Sequence, residues 1–100
     1  MRVLLVEDDD RVAHALVPAL TKRGLAVRRL ATGRGVLDLV GEVDVILLDL
    51  GLPDIDGMTL CRQIRAVSDV AVSNISDAIT SASVSRSLAE AIIDGPPIYR

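Results

Sequence analysis

The sequence predicts an α/β fold, a doubly wound parallel sheet with helices on both faces. Three observations carry that prediction. Arg2-Val3-Leu4-Leu5-Val6 and Val45-Ile46-Leu47-Leu48 are short, largely apolar runs without Gly or Pro, as strands buried on both faces should be. Each run ends in acid, Glu7-Asp8-Asp9-Asp10 after the first and Asp49 after the second. Between and beyond them lie segments whose apolar residues recur at helical spacing, so strand and helix alternate along the chain.

Taken in order, the first strand is followed by a helix over residues 10–22, with Val12, Leu16, Ala19 and Leu20 on one stripe and Gly24 as its stop. Pro18 interrupts that helix, because it cannot donate to the carbonyl of His14; a bend or an early stop near 14–18 is expected. His14 is the one histidine, and on a helix it reads as a surface residue. Residues 25–30 form a second strand, less hydrophobic than the others and therefore expected at an edge. Thr32 is placed to cap a short helix over 33–40, which Gly33 and Gly35 weaken. The third strand covers 43–49, and Gly51, Pro53, Asp54 and Gly57 then turn the chain. A third helix over 58–67 carries Leu60, Cys61, Ile64 and Val67 inward and Arg62 and Arg65 outward. Residues 70–75 form a fourth strand, weakened by Ser73 and Asn74, and 77–94 read as a further helix stopped by Gly95-Pro96-Pro97.

Composition bounds the function. A chain of 100 residues holds one small core, and at 50% apolar residues it is globular rather than disordered. That core must be aliphatic, since Tyr99 is the one aromatic residue. A net charge of −3 offers no basic patch for nucleic acid. Cys61 has no partner for an internal disulfide, no run reaches membrane-spanning length, and the start of the chain lacks a signal-peptide pattern. A cytoplasmic protein that contacts neither membrane nor nucleic acid is expected.

Two parallel strands side by side would bring both acidic ends to one edge of the sheet, where open α/β sheets place ligands. Converging carboxylates raise one another's pKa unless a cation sits among them. Oxygen ligands, few and open to water, suit Mg2+ better than zinc or a caged Ca2+. A carboxylate beside Mg2+ can also attack phosphorus and form an aspartyl-phosphate. The plainer readings remain beside these: Asp49 ends a strand, and Asp9 or Asp10 caps a helix, with acids favoured by its dipole.

Val6-Glu7-Asp8-Asp9, together with Leu47-Leu48-Asp49-Leu50-Gly51-Leu52-Pro53-Asp54-Ile55-Asp56-Gly57-Met58, resembles the receiver domain of bacterial two-component response regulators, over about residues 1–76. The resemblance implies a flavodoxin-like sheet in the order 2-1-3-4, with the fifth strand and last helix missing or residual. It implies Asp49 as phospho-acceptor, with Mg2+ held by Glu7, Asp8, Asp49 and the carbonyl of Gly51. Pro53 and Gly57 would shape the turn after the acceptor strand. Ser76 stands where the family carries a hydroxyl that contacts the phosphoryl group, although Thr80 competes and a helix cap at Ser76 or Asp77 is an equal reading. The implied partner is a sensor histidine kinase, and such an acceptor is not a multiple-turnover enzyme.

Beyond residue 76 the pattern thins. The family's lysine that pairs with the phosphoryl group has no counterpart, because Lys22 is the one lysine; Ile98 and Tyr99 are all that resembles a fifth strand before Arg100. The expectation is therefore one receiver-like domain over 1–100, incomplete at its C-terminal end, impaired in output, and associating with itself through uncovered apolar surface. A non-catalytic interaction or dimerisation module that keeps the receiver core is the reading from a different class. A flavodoxin-like small-ligand binder is disfavoured, since no loop rich in Gly, Ser or Thr follows the first strand.

Overall fold

Four parallel strands, β1 (Arg2–Val6), β2 (Ala26–Leu30), β3 (Val45–Leu48) and β4 (Ala71–Asn74), form one sheet in the order β2-β1-β3-β4. The computed structural model describes residues 1–75. Helices α1 (Asp10–Lys22), α2 (Val36–Leu39) and α3 (Gly57–Val67) make the crossovers, with a 3-10 turn at Val40–Glu42 after α2. The weakly apolar β2 is at an edge, as its composition implied. The expectations for Ser76, Thr80, the 77–94 helix, Tyr99 and Arg100 fall outside the described residues.

The two-residue period of the strands divides the core. Val3, Leu5, Val45 and Leu47 pack with Ala13, Leu16 and Leu20 of α1 on one face. Leu4, Val6, Ile46 and Leu48 pack with Val36 of α2 and with Leu60, Cys61 and Ile64 of α3 on the other. All four apolar residues of β1 are 0% exposed, which is why neither face of that strand can carry a polar side chain. Cys61 lies in this core, and burial pushes its thiol up to about 12, so it packs as a small hydrophobe.

The ends of α1 explain its length. Asp9 is the N-cap, its carboxylate accepting from the Arg11 amide at 2.8 Å. At the other end the Gly24 amide donates to the Thr21 carbonyl at 2.9 Å and the Leu25 amide to the Leu20 carbonyl at 3.2 Å. This is a Schellman closure, with Gly24 at φ +86° and Leu25 and Leu20 buried in the same cluster. Of the bend or early stop expected at Pro18, the early stop does not occur; the helix runs through to Lys22. Leu16 and Leu20, on either side of Pro18, are buried, while His14 and Pro18 are exposed, so the carbonyl left without an amide lies on the wet side. Pro18→Ala is therefore expected to stabilise by up to about 3 kcal/mol, less the fraction by which proline stiffens the unfolded chain. Urea denaturation checks it, and an unchanged or lower midpoint would refute the argument.

Elsewhere the element bounds contract or shift. Leu25 belongs to the helix closure and not to β2; β3 and β4 are each shorter than the 43–49 and 70–75 expected. The helix expected over 33–40 is a single turn, Val36–Leu39, capped by Gly35 at φ +88° and not by Thr32. In α3 the N-cap is Asp56, whose carboxylate accepts from the Thr59 amide at 3.1 Å. Val67, expected inside, is exposed, and Arg65, expected outside, is half-buried. The Arg65 guanidinium donates to the carbonyls of Ser68 and Val70, joining the end of α3 to the start of β4. Those bonds hold the carbonyls of the connection between the two elements, a pairing that periodicity cannot register.

Candidate functional site

The parallel ladder carries both acidic ends to one edge. Beyond β1 the Glu7 amide donates to the Leu30 carbonyl at 3.0 Å, and beyond β3 the Asp49 amide donates to the Val6 carbonyl at 2.9 Å. With Leu48 of β3 in register with Val6 of β1, Asp49 and Glu7 leave adjacent strands at the same level. The side chains of Glu7, Asp8 and Asp49 each offer an oxygen, and these all lie within 4.8 Å of one another. Glu7 is buried, Asp49 half-buried and Asp8 exposed, so the cluster opens to water on one side.

Electrostatics follow from that convergence. Burial pushes the Glu7 carboxyl up to about 7, aided by a hydrogen bond with the Asp49 carboxyl and by the charges of Asp49 and Asp8. A bond to the Asp9 backbone opposes the rise. Three hard oxygen donors, held together against their repulsion and reachable from solvent, fit a small divalent cation. Asp9 belongs to the helix: bonds from the Arg11 side chain and backbone hold its carboxyl below the usual range.

The loop from Asp49 to Asp56 is shaped by its glycines and acids. The Gly51 amide donates to Asp49 Oδ1 at 3.1 Å, which orients the carboxylate. The Gly57 amide approaches the Leu50 carbonyl at 3.4 Å, and a Cβ on Gly57 would lie 2.7 Å from the Leu50 Cα. Pro53 is exposed in the same turn. Glu7, Asp8 and Asp49 are thus brought together as the sequence implied. Gly51 lies beside them through its amide, and Ser76 is outside the described residues.

Two side chains were not singled out as supports from sequence. Asp54 lies in the turn but reaches back to the β2–α2 loop, accepting from the Gly33 amide at 2.9 Å and the Arg34 amide at 3.1 Å. Arg29, on β2, donates through Nε at 3.0 Å and Nη2 at 2.8 Å to the Glu7 carbonyl. Both join residues about twenty positions apart, where periodicity has no signal. Asp54→Ala would leave two loop amides to water; a loss of about 1 kcal/mol is expected in urea denaturation. A divalent-ion response equal to wild type should accompany it, since Asp54 is not among the clustered carboxylates.

Among the described residues no helix is long and apolar enough to cross a membrane. The model of the response regulator receiver domain matches residues 3–95. Transcriptional regulatory protein BaeR of Escherichia coli is 41% identical over 73 residues, covering 71% of this chain and 30% of that one. Transcriptional regulatory protein CreB of Escherichia coli is 46% identical over 67 residues, covering 65% and 29%. This chain therefore spans less than a third of the length of these curated relatives. Among solved structures, the BeF3-activated N-terminal receiver domain of Klebsiella pneumoniae RstA is 27% identical with a TM-score of 0.70, over 87% of this chain and 81% of that one.

Proposed function

Since this chain belongs to the response regulator receiver domains of two-component signalling, we propose that it accepts a phosphoryl group on Asp49, with Mg2+ held by Glu7, Asp8, Asp49 and the Gly51 carbonyl. The observation that carries this reading is the convergence of three carboxylates within 4.8 Å at the ends of adjacent parallel strands. Mg2+, when bound, would offset the carboxylate charges and those of the incoming phosphoryl oxygens.

This chain's own groups have distinct tasks. An Asp49 carboxylate oxygen attacks the phosphorus of the donor, a phosphohistidine of a sensor kinase. The P–N bond breaks as the new P–O bond forms, and the electron pair leaves on the imidazole, which takes up a proton from water. The Gly51 amide, 3.1 Å from Asp49 Oδ1, leaves the other carboxylate oxygen to attack. Glu7 and Asp8 remain unmodified and hold the cation. The one lysine of this sequence, Lys22, ends α1, so among the described residues none stands at this edge to balance the product. The phosphorylated form is therefore expected to bind Mg2+ but to drive output weakly.

The test is incubation with a small acyl phosphate and Mg2+, read by intact mass, beside thermal melts with beryllofluoride. One added phosphoryl group, and a beryllofluoride-dependent rise in Tm, are expected in wild type and should vanish in Asp49→Asn. A chain that binds neither Mg2+ nor beryllofluoride would instead be an interaction module built on the receiver core.

A further inference from the structure

The Glu7–Asp8 turn is held by a residue from the edge strand. Arg29 pairs in register with Leu5 and so stands on the α1 face of the sheet. Its guanidinium crosses to the end of β1 and donates twice to the Glu7 carbonyl, at 3.0 and 2.8 Å. The same Nη2 lies 2.9 Å from Asp10 Oδ1, at the first residue of α1. The Arg29 side chain is 24% exposed, against 74% for Asp10, so the arginine is the anchored member of the pair. One planar, permanently charged group therefore bridges the turn from its first carbonyl to its last carboxylate.

The consequence is geometric. The peptide between Glu7 and Asp8 carries one acidic side chain at each end, so fixing its carbonyl fixes how both carboxylates leave the backbone. We propose that Arg29 is a positioning residue for the cation site: it locks the Glu7–Asp8 peptide so that the two side chains meet Asp49. This rests on the Mg2+ reading above. Arg29 touches neither the reacting atoms nor the clustered carboxylate oxygens; it acts through the backbone carbonyl of Glu7.

Charge and position make opposite predictions, which makes the proposal decidable. By charge alone, removing a cation beside three carboxylates should tighten Mg2+ binding. By position, it should weaken binding, because the ligands lose their common orientation. The experiment is calorimetric titration of Mg2+ at pH 8 into the wild-type chain, Arg29→Ala and Arg29→Lys, each first shown folded by circular dichroism. Arg29→Ala is expected to bind about 10-fold more weakly, the low end for loss of a group supporting metal ligands. Arg29→Lys keeps the charge but lacks the two-pronged fork, so it should restore only part of the affinity. Equal or tighter binding by Arg29→Ala would overturn the proposal. Should Arg29→Ala fail to fold, Arg29→Lys decides alone: weaker binding than wild type supports the proposal and equal binding overturns it. Wild type that binds no Mg2+ would overturn the site reading and the proposal with it, an outcome distinct from binding that ignores Arg29.

Discussion

Asp49→Asn should make the metal-free protein more stable at pH 8 than wild type, while the two are nearly equal at pH 4. Glu7 titrates at about 7 in the fold against an ordinary 4.5, so between those values the native state binds more protons than the unfolded chain. Stability contributed by the protonated carboxyl is full below pH 4.5, falls as pH rises, and is lost once pH passes about 7. The loss in wild type is up to about 3 kcal/mol. Burial, the largest cause, survives the substitution, but the Asp49 hydrogen bond and charge do not, so the decline should shrink without vanishing. Urea denaturation in chelator from pH 4 to 8 measures both slopes. A flat wild-type profile, or identical profiles for the two proteins, would refute the converging-carboxylate argument. Mg2+ should reverse the trend in wild type, because it binds the deprotonated site and only in the native state. Its stabilisation should be largest at pH 8, fade towards pH 5, and be mostly absent in Asp49→Asn. The acid limb is separate: Asp9 and Asp44 have carboxyls held below their ordinary value, Asp9 chiefly by Arg11 and Asp44 by the Arg2 amide at 2.6 Å. Their contributions are lost only as pH falls below about 3.8.

Gly57→Ala should cost the fold and the site together. The new methyl would lie 2.7 Å from the Leu50 Cα and 3.2 Å from its carbonyl oxygen, contacts with backbone that no rotamer change relieves. Relief requires moving Leu50, which is the residue after Asp49, or the start of α3. A loss of about 1–3 kcal/mol is expected, with weaker Mg2+ stabilisation because the Asp49 turn shifts. Gly41→Ala is the control: nothing lies within 4 Å of its Cβ, and it should be close to neutral. A Gly57→Ala protein matching the control in urea midpoint and Mg2+ response would show that the turn has slack that the close approach denies it.

The acidic cluster was legible in the sequence because two buried strands, each ending in acid, leave little freedom once they pair in parallel. Val3 to Val6 and Val45 to Leu48 are apolar without a break, which selects a sheet covered on both faces. Asp9 and Gly24 were readable as helix ends for a similar reason: capping is local chemistry, decided within a few positions. Pro18 marks the limit of local reasoning, since the burial of Leu16 and Leu20 outweighs the missing hydrogen bond and carries α1 to Lys22.

By itself, then, the sequence determined the strand and helix succession over residues 1–75, the edge position of β2 there and the residues that could meet as a cation site. Tertiary structure alone decided what holds them there: Arg29 on the Glu7 carbonyl, Asp54 on the Gly33 and Arg34 amides, and Arg65 turned inward to the start of β4. Those bonds use long polar side chains against backbone groups of other segments. Such partners are chosen by which unsatisfied carbonyl or amide lies within reach after packing, and hydrophobic periodicity carries no trace of that choice.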